Sequence, residues 1–238
     1  MNIALIGYGK MGREIEKIAV DRGHQISTII GRNDSLEALK EGTDVAIEFT
    51  QPEQAVNNIL GCLKQNTPVV VGTTGWYADF DKVVKECEAL NGAVFHATNF
   101  SVGVNILFHM NKMLAGIMSG QPDYKARMTE THHIHKKDSP SGTAISLAEG
   151  LINNHNDYSE WREEPREILD GVLPIKAFRE NEVPGIHEVI YESDIDYLLI
   201  KHSAKSRKGF ALGSVLAAEY IYGKNGMHTM TDLLNFNN

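Results

Sequence analysis

Residues 3–12, IALIGYGKMG, decide the fold. A short apolar run breaks on Gly7, and from Met11 the apolar residues recur at helical spacing through Ile15, Ile18 and Ala19. This is a strand, a glycine turn and a helix, with Gly7, Gly9 and Gly12 in G-x-G-x-x-G register. In that setting the glycines supply a tight turn, close approach of the backbone to a pyrophosphate, and close packing of helix on strand. A second apolar strand, HQISTII at 24–30, follows. The pattern predicts a dinucleotide site built from Gly7, Tyr8, Gly9, Lys10, Met11 and Gly12.

A carboxylate closing the second strand accepts hydrogen bonds from a ribose diol and repels a 2'-phosphate. Here the chain reads Gly31-Arg32-Asn33-Asp34, with no acid at the strand end, and Arg32 is placed to pair with a phosphate. NADPH is therefore the expected cofactor and NADH the second choice, with Asp34 close enough in sequence to swing in.

From 44 to 98 the alternation continues as DVAIEFT, PEQAVNNILGCLKQN, PVVVGT, YADFDKVVKECEALN and AVFHAT. Strand and helix repeating at this spacing predict an α/β fold with a Rossmann-like, doubly wound parallel sheet, whose ligands sit beyond the carboxyl ends of the strands. Three strand ends carry suitable residues: 49–52, the glycine-bracketed Thr73 and Thr74 after Gly72, and 98–101. After Asn99 a long Met- and Phe-rich helix begins and the alternation stops. The expected division is 1–101 plus 208–238 as the dinucleotide-binding domain, and 102–207 as a second, α+β domain with a mixed sheet for substrate binding and oligomerisation. The segments KAFR, HEVIYES and IDYLLIKHSA read as its further strands, and GFALGSVLAAEYIYG as a final apolar helix returning to the first domain. Before them, 153–174 is polar with little periodicity and reads as an excursion.

The composition narrows the partners. With 238 residues, 42% hydrophobic, a formal net charge of -8 and a pI near 5.7, the chain can bury a large core and is a poor general ligand for nucleic acid or an anionic membrane. It has no long apolar run, and it opens on a strand rather than a signal sequence, which predicts a cytoplasmic protein. Cys62 and Cys87, both on predicted helices, read as buried thiols.

Chemistry concentrates in 130–144, ETHHIHKKDSPSGTA, which holds three histidines, two lysines and two carboxylates. A predicted strand (YKARMTETHH) precedes it and a helix (AISLAEGLI) follows. Ser141 or Thr143 can cap that helix, whose free N–H groups favour an anion. Lys136 adds a point charge, and His132, His133 and His135 can trade a proton near neutral pH. A small carboxylate-bearing substrate that must be protonated fits both features. On a strand His133 and His135 would share one face and His132 the other, and neither cysteine nor H-E-x-x-H is near, so no metal is expected.

The combination of GYGKMG at 7–12, VGTTG at 71–75, TNFSVGVN at 98–105 and E-x-HH-x-x-K-x-D-x-PSGTA from Glu130 resembles the 4-hydroxy-tetrahydrodipicolinate reductase (dihydrodipicolinate reductase) family of lysine biosynthesis. The resemblance spans the chain, and the 130–144 motif is its specific part. It implies that His132 and Lys136 are catalytic, that His133, Gly142 and Thr143 hold a dicarboxylate substrate beside the capping Ser141, and that Gly72, Thr73, Thr74, Ala97, Thr98, Asn99 and Phe100 join the cofactor site. It also implies a cytoplasmic homotetramer. The chain departs from the family in carrying Gly31 where an acid is usual, in an abbreviated 179–187 segment, and in a trimmed 31–43. Another nicotinamide dehydrogenase acting on an amino-acid-like carboxylate would share the first hundred residues without needing the histidine pair, and a dinucleotide sensor would need no placed proton donor.

Overall fold

Alternating apolar runs and amphipathic segments resolve, in a computed structural model describing residues 1–165 and 169–236, into two units, Met1–Val102 with Lys208–Asn238 and Gly103–Arg207. Numbered along the chain, β1 (Asn2–Ile6), β2 (Gln25–Ile30), β3 (Val45–Glu48), β4 (Val69–Val71), β5 (Ala93–His96) and β11 (Gly226–His228) form the sheet of the first unit. All its pairings are parallel, in the order β11-β5-β4-β3-β1-β2. Such strands are buried on both faces and read as apolar runs rather than alternations. Ile3 and Leu5 of β1 face α1 (Lys10–Asp21) and α6 (Lys208–Ile221), while Ala4 and Ile6 face α2 (Pro52–Lys64) and α3 (Phe80–Ala89).

The chain runs outward from β1 to β2 and then returns past β1 to β3, which makes the ends of β1 and β3 the switch point where a crevice opens. Helix α6 lies in this unit with Ala211, Val215, Ala217, Ala218 and Ile221 fully buried. After it, β11 adds a sixth strand of only three residues, too short for a periodic signal. Cys62 and Cys87 are free, buried thiols on α2 and α3.

The second unit takes all but the first residue of α4 (Val102–Met118), then β6 (Lys125–His132), α5 (Gly142–Ile152), β7 (Glu160–Glu163), β8 (Val172–Arg179), β9 (Ile186–Glu192) and β10 (Tyr197–Ser203). Its sheet is mixed, in the order β10-β9-β6-β8-β7. The stretch 153–174, read as a polar excursion, in fact supplies β7 and the start of β8, and 166–168 within it lie outside the described residues. As an edge strand, β7 needs no apolar face, so it left no pattern. Leu107, Ala115, Leu147 and Leu151 of α4 and α5 cover Met128, Ile175 and Val189 on one sheet face. The alternating positions Arg127, Thr129, Glu188 and Lys201 form the other face, with Tyr197 and Leu199 exposed. Among the described residues no helix is long and apolar enough to cross a membrane.

Candidate active site

At the switch point of the first unit, Phe49 N–H donates to Ile6 O at 2.8 Å and Gly7 N–H to Ile30 O at 2.8 Å, so Gly7 turns tightly between three strands. Its φ is +93°, and a Cβ there would stand 2.0 Å from the Phe49 carbonyl oxygen. A Cβ on Gly12 would meet the Gly7 carbonyl oxygen at 2.3 Å, and one on Gly72 the Phe49 ring at 2.0 Å. These glycines are fixed by packing. Gly9 differs, because a Cβ there would meet nothing within 4 Å. It is the N-cap of α1 and offers no side chain, which leaves the first N–H groups of the helix to a ligand.

Two clefts flank this turn. One, of about 400 Å³, is lined by Gly7, Tyr8, Gly9, Gly31, Arg32, Asp34, Phe49 and Thr50 among others. The second, of about 390 Å³, is lined by Gly9, Lys10, Met11, Gly12, Phe49, Thr50, Gly72, Thr73 and Thr74. The bare helix N-terminus and the glycine backbone fit a dinucleotide pyrophosphate. Residues Ala97, Thr98, Asn99 and Phe100 line neither cleft: Phe100 is buried between Phe49 and Phe95, each ring 5.8 Å away, and Asn99 Oδ1 accepts the Ser101 N–H at 2.9 Å. Phe49, unremarked as a packing residue in the sequence, shapes both clefts.

In the second unit β6 ends at His132. Its carbonyl accepts the Glu180 N–H at 2.8 Å, and Ile134 N–H donates to Asn181 O at 3.1 Å, which turns the chain out of the sheet. The expectation that His133 and His135 share a strand face is therefore corrected, since both lie beyond the strand. The face that matters carries Glu130 and His132, two residues apart. Register sets His187 of β9 opposite Glu130, and Arg179 of β8 opposite His132. Neither Arg179 nor His187 stood out in the sequence, because each becomes a neighbour only through strand pairing.

Glu130 is fully buried and lies at the centre of the group. Its Oε2 accepts the Ser141 N–H at 3.0 Å and lies 3.7 Å from His132 Nδ1 and 3.8 Å from His187 Nε2. Its Oε1 accepts from Arg179 Nη1 at 3.4 Å. Ser141 caps α5, its Oγ accepting the Ala144 N–H at 3.2 Å, and is hydrogen-bonded to His187 Nε2 at 3.1 Å. Gly142 is exposed at the first position of that helix, with open space where a Cβ would lie. Gly185 leaves room for the His132 ring, a Cβ there approaching Nε2 to 3.2 Å.

Burial pushes the His132 imidazole below its ordinary value; Glu130 opposes this, while Lys136 and Arg179 reinforce it. His187 is pushed down to about 4 by burial, aided by His132. Lys136 Nζ donates to both oxygens of Asp138, at 2.9 and 2.7 Å, and this hydrogen bond holds the Asp138 carboxyl below its usual range. Arg179 Nη2 donates to Asp138 O at 2.8 Å, tying this loop to the sheet. His133 is half-buried, 6.2 Å from the His135 ring.

Glu130, His132 and His187 are donor types that hold zinc, with ligand atoms within 4.8 Å of one another. The separations of 3.7 and 3.8 Å exceed the edge of about 3.3 Å that bonds of about 2.0 Å impose on a tetrahedron. Arg179 and a helix N-terminus, moreover, give the site a field that draws anions. The arrangement suits an anionic substrate and a mobile proton.

Comparison with known proteins bears on both units. Residues 1–100 match the N-terminal family of dihydrodipicolinate reductase and residues 103–234 its C-terminal family. A protein of Christiangramia forsetii named 4-hydroxy-tetrahydrodipicolinate reductase is 46% identical over 238 residues, covering 99% of this chain and 98% of that one. One of the same name from Neisseria meningitidis serogroup B is 32% identical over 231 residues, covering 94% and 85%. In fold, the chain is similar to dipicolinate-bound dihydrodipicolinate reductase from Paenisporosarcina sp. TG-14, with a TM-score of 0.77, 20% identity and 98% of each chain covered. Matched along its whole length, the chain belongs to the dihydrodipicolinate reductase family.

Proposed function

We propose that this chain catalyses the NAD(P)H-dependent reduction of 4-hydroxy-tetrahydrodipicolinate to tetrahydrodipicolinate in the diaminopimelate route to lysine. Overall a hydride and a proton enter the ring and the hydroxyl leaves as water. The observation that carries the reading is the junction of β6 and α5, where a capped helix N-terminus suited to a carboxylate adjoins the buried His132. When bound, the reduced nicotinamide supplies the hydride. The chain's own work is to orient and neutralise. Lys136 and the N–H groups at Gly142 and Thr143 clamp the substrate carboxylates, His133 lends a further contact, and His132 serves as the acid.

Gly7 to Gly12 and Gly72 to Thr74 hold the cofactor, with Ala97 to Phe100 shaping its site from behind. NADPH is the preferred cofactor and NADH is accepted: Arg32 is exposed, with no partner among the described residues, and is free to pair with a 2'-phosphate. The uncovered sheet face with exposed Tyr197 and Leu199 supports a homotetramer assembled on the second unit. Loss of reduced-nicotinamide absorbance on adding freshly generated substrate, with each cofactor in turn, tests the activity. No oxidation with either cofactor would refute it. Sedimentation of Leu199→Glu tests the assembly, since the wild type should run as a tetramer and the variant as smaller species.

A further inference from the structure

Glu130 is a buried carboxylate that the reaction as described leaves unused. One step along the ladder, Met128 faces Val189 and Ile175, an apolar trio of the kind an inner sheet face normally carries. At Glu130 the same face turns ionic. An ionised carboxylate without water is costly unless it is paired and hydrogen-bonded. Glu130 finds partners on three other elements: Ser141 N–H of the cap at 3.0 Å, Arg179 of β8 at 3.4 Å, and His187 of β9 at 3.8 Å, besides His132 on its own strand at 3.7 Å.

We propose that Glu130 is a positioning residue for the reaction, setting His132 against the carboxylate cradle at the start of α5 and supplying the negative charge that faces its ring. One oxygen serves both ends: Oε2 holds the cap through Ser141 N–H and faces His132 Nδ1. The cradle is hydrogen-bonded to that atom, and the donor faces it across 3.7 Å. Arg179 and Lys136 favour the neutral ring, His187 adds to them if protonated, and Glu130 and Asp138 favour the charged one. Of the two carboxylates, Glu130 is fully buried and unscreened, while Asp138 is exposed and already bound to Lys136. The proposal rests on the reading of His132 as the acid.

The test is the pH dependence of kcat for the full-length enzyme carrying Glu130→Gln or Glu130→Asp, with His132→Gln beside them. Glutamine keeps an acceptor for Ser141 N–H and loses the charge. An opposite charge at this range moves a titration by about 1 to 3 pH units, so the alkaline limb of kcat should fall by that much in Glu130→Gln. In Glu130→Asp, whose carboxylate is withdrawn by one methylene, it should fall by less. The KM for NADPH should be unmoved in both, which a general loss of structure would not give. If Glu130→Gln fails to fold, the Asp variant decides alone. Alkaline limbs at the wild-type position in the folded variants overturn the proposal. His132→Gln separates the two claims: surviving turnover removes the acid assignment itself, whereas collapse of turnover with unmoved Glu130 limbs removes only the positioning role.

Discussion

Asp34 folds back onto Gly31, its Oδ2 accepting the Gly31 N–H at 2.8 Å, so that a carboxylate stands at the carboxyl end of β2 beside the exposed guanidinium of Arg32. Both side chains line the same cleft. A ribose diol would find an acceptor in Asp34, and a 2'-phosphate a donor in Arg32. The two residues should therefore pull cofactor choice in opposite directions. Arg32→Ala should raise the KM for NADPH about ten- to a hundredfold and leave that for NADH nearly unchanged. Asp34→Ala should weaken NADH and spare or improve NADPH. Equal effects on both cofactors in either variant would refute the assignment.

The glycines of the turn should also separate by variant. Gly12→Ala pushes a methyl against the Gly7 carbonyl oxygen, 2.3 Å away, and should destabilise the first unit by about 1 to 3 kcal/mol, as overpacking does. Gly9→Ala meets no atom within 4 Å at a φ of -84°, so its melting temperature should stay near wild type while the KM for NADPH rises, because the methyl occupies space left for the pyrophosphate. A Gly9→Ala enzyme with normal cofactor affinity would place the dinucleotide elsewhere.

Local pattern carried much of this molecule, and it failed where neighbours come from distant strands. IALIG and GYGKMG announce β1, its turn and α1 because burial on both faces of a parallel sheet leaves a continuous apolar run and the glycines sit at fixed offsets. Ser141 was legible as a cap for the same local reason. Arg179 and His187 were not, since only the register of β8 and β9 on β6 brings them to Glu130. Asp34 was visible as a candidate, but its return to Gly31 depends on a turn whose geometry four residues do not dictate. The edge strand β7 and the three-residue β11 carry too little buried surface to impose a period.

His187 should make stability depend on pH. Its folded value of about 4 lies below its ordinary 6.5, so between these limits the unfolded chain binds more protons than the folded one. The sign follows: the contribution is fully present above 6.5 and is lost as pH falls toward 4, the loss amounting to about 3 kcal/mol at the acid end. Urea midpoints of the wild type should drop across that window, and His187→Asn should flatten the slope. An equally steep slope in the variant would assign the acid sensitivity to other groups.

His132 and Lys136 lie four residues apart and should fail in different ways. Lys136 Nζ is held by Asp138 at 2.7 Å, so an arriving substrate carboxylate must share or displace that partner. Lys136→Ala should raise the substrate KM and lower kcat together, because a clamp that also steadies developing charge acts in both ground and transition states. Asp138→Asn frees the ammonium from its competitor. With Asp138 exposed, such a pair is worth about 0.2 to 1 kcal/mol, so substrate KM should fall by a factor of about 1.4 to 5, with kcat moved little. His132 should matter once the proton is in flight. General acid catalysis is worth about 10² to 10⁴ in rate, and His132→Gln should cost kcat within that range while substrate and cofactor KM hold. A purely structural histidine, buried on the sheet face at 7% exposure, would instead lower the melting temperature and leave the surviving enzyme turning over normally. Kinetics and melting curves on the three variants decide between the two: wild-type turnover in His132→Gln would remove His132 from the chemistry, and an Asp138→Asn enzyme with a raised substrate KM would show that Asp138 holds Lys136 ready rather than competing for it.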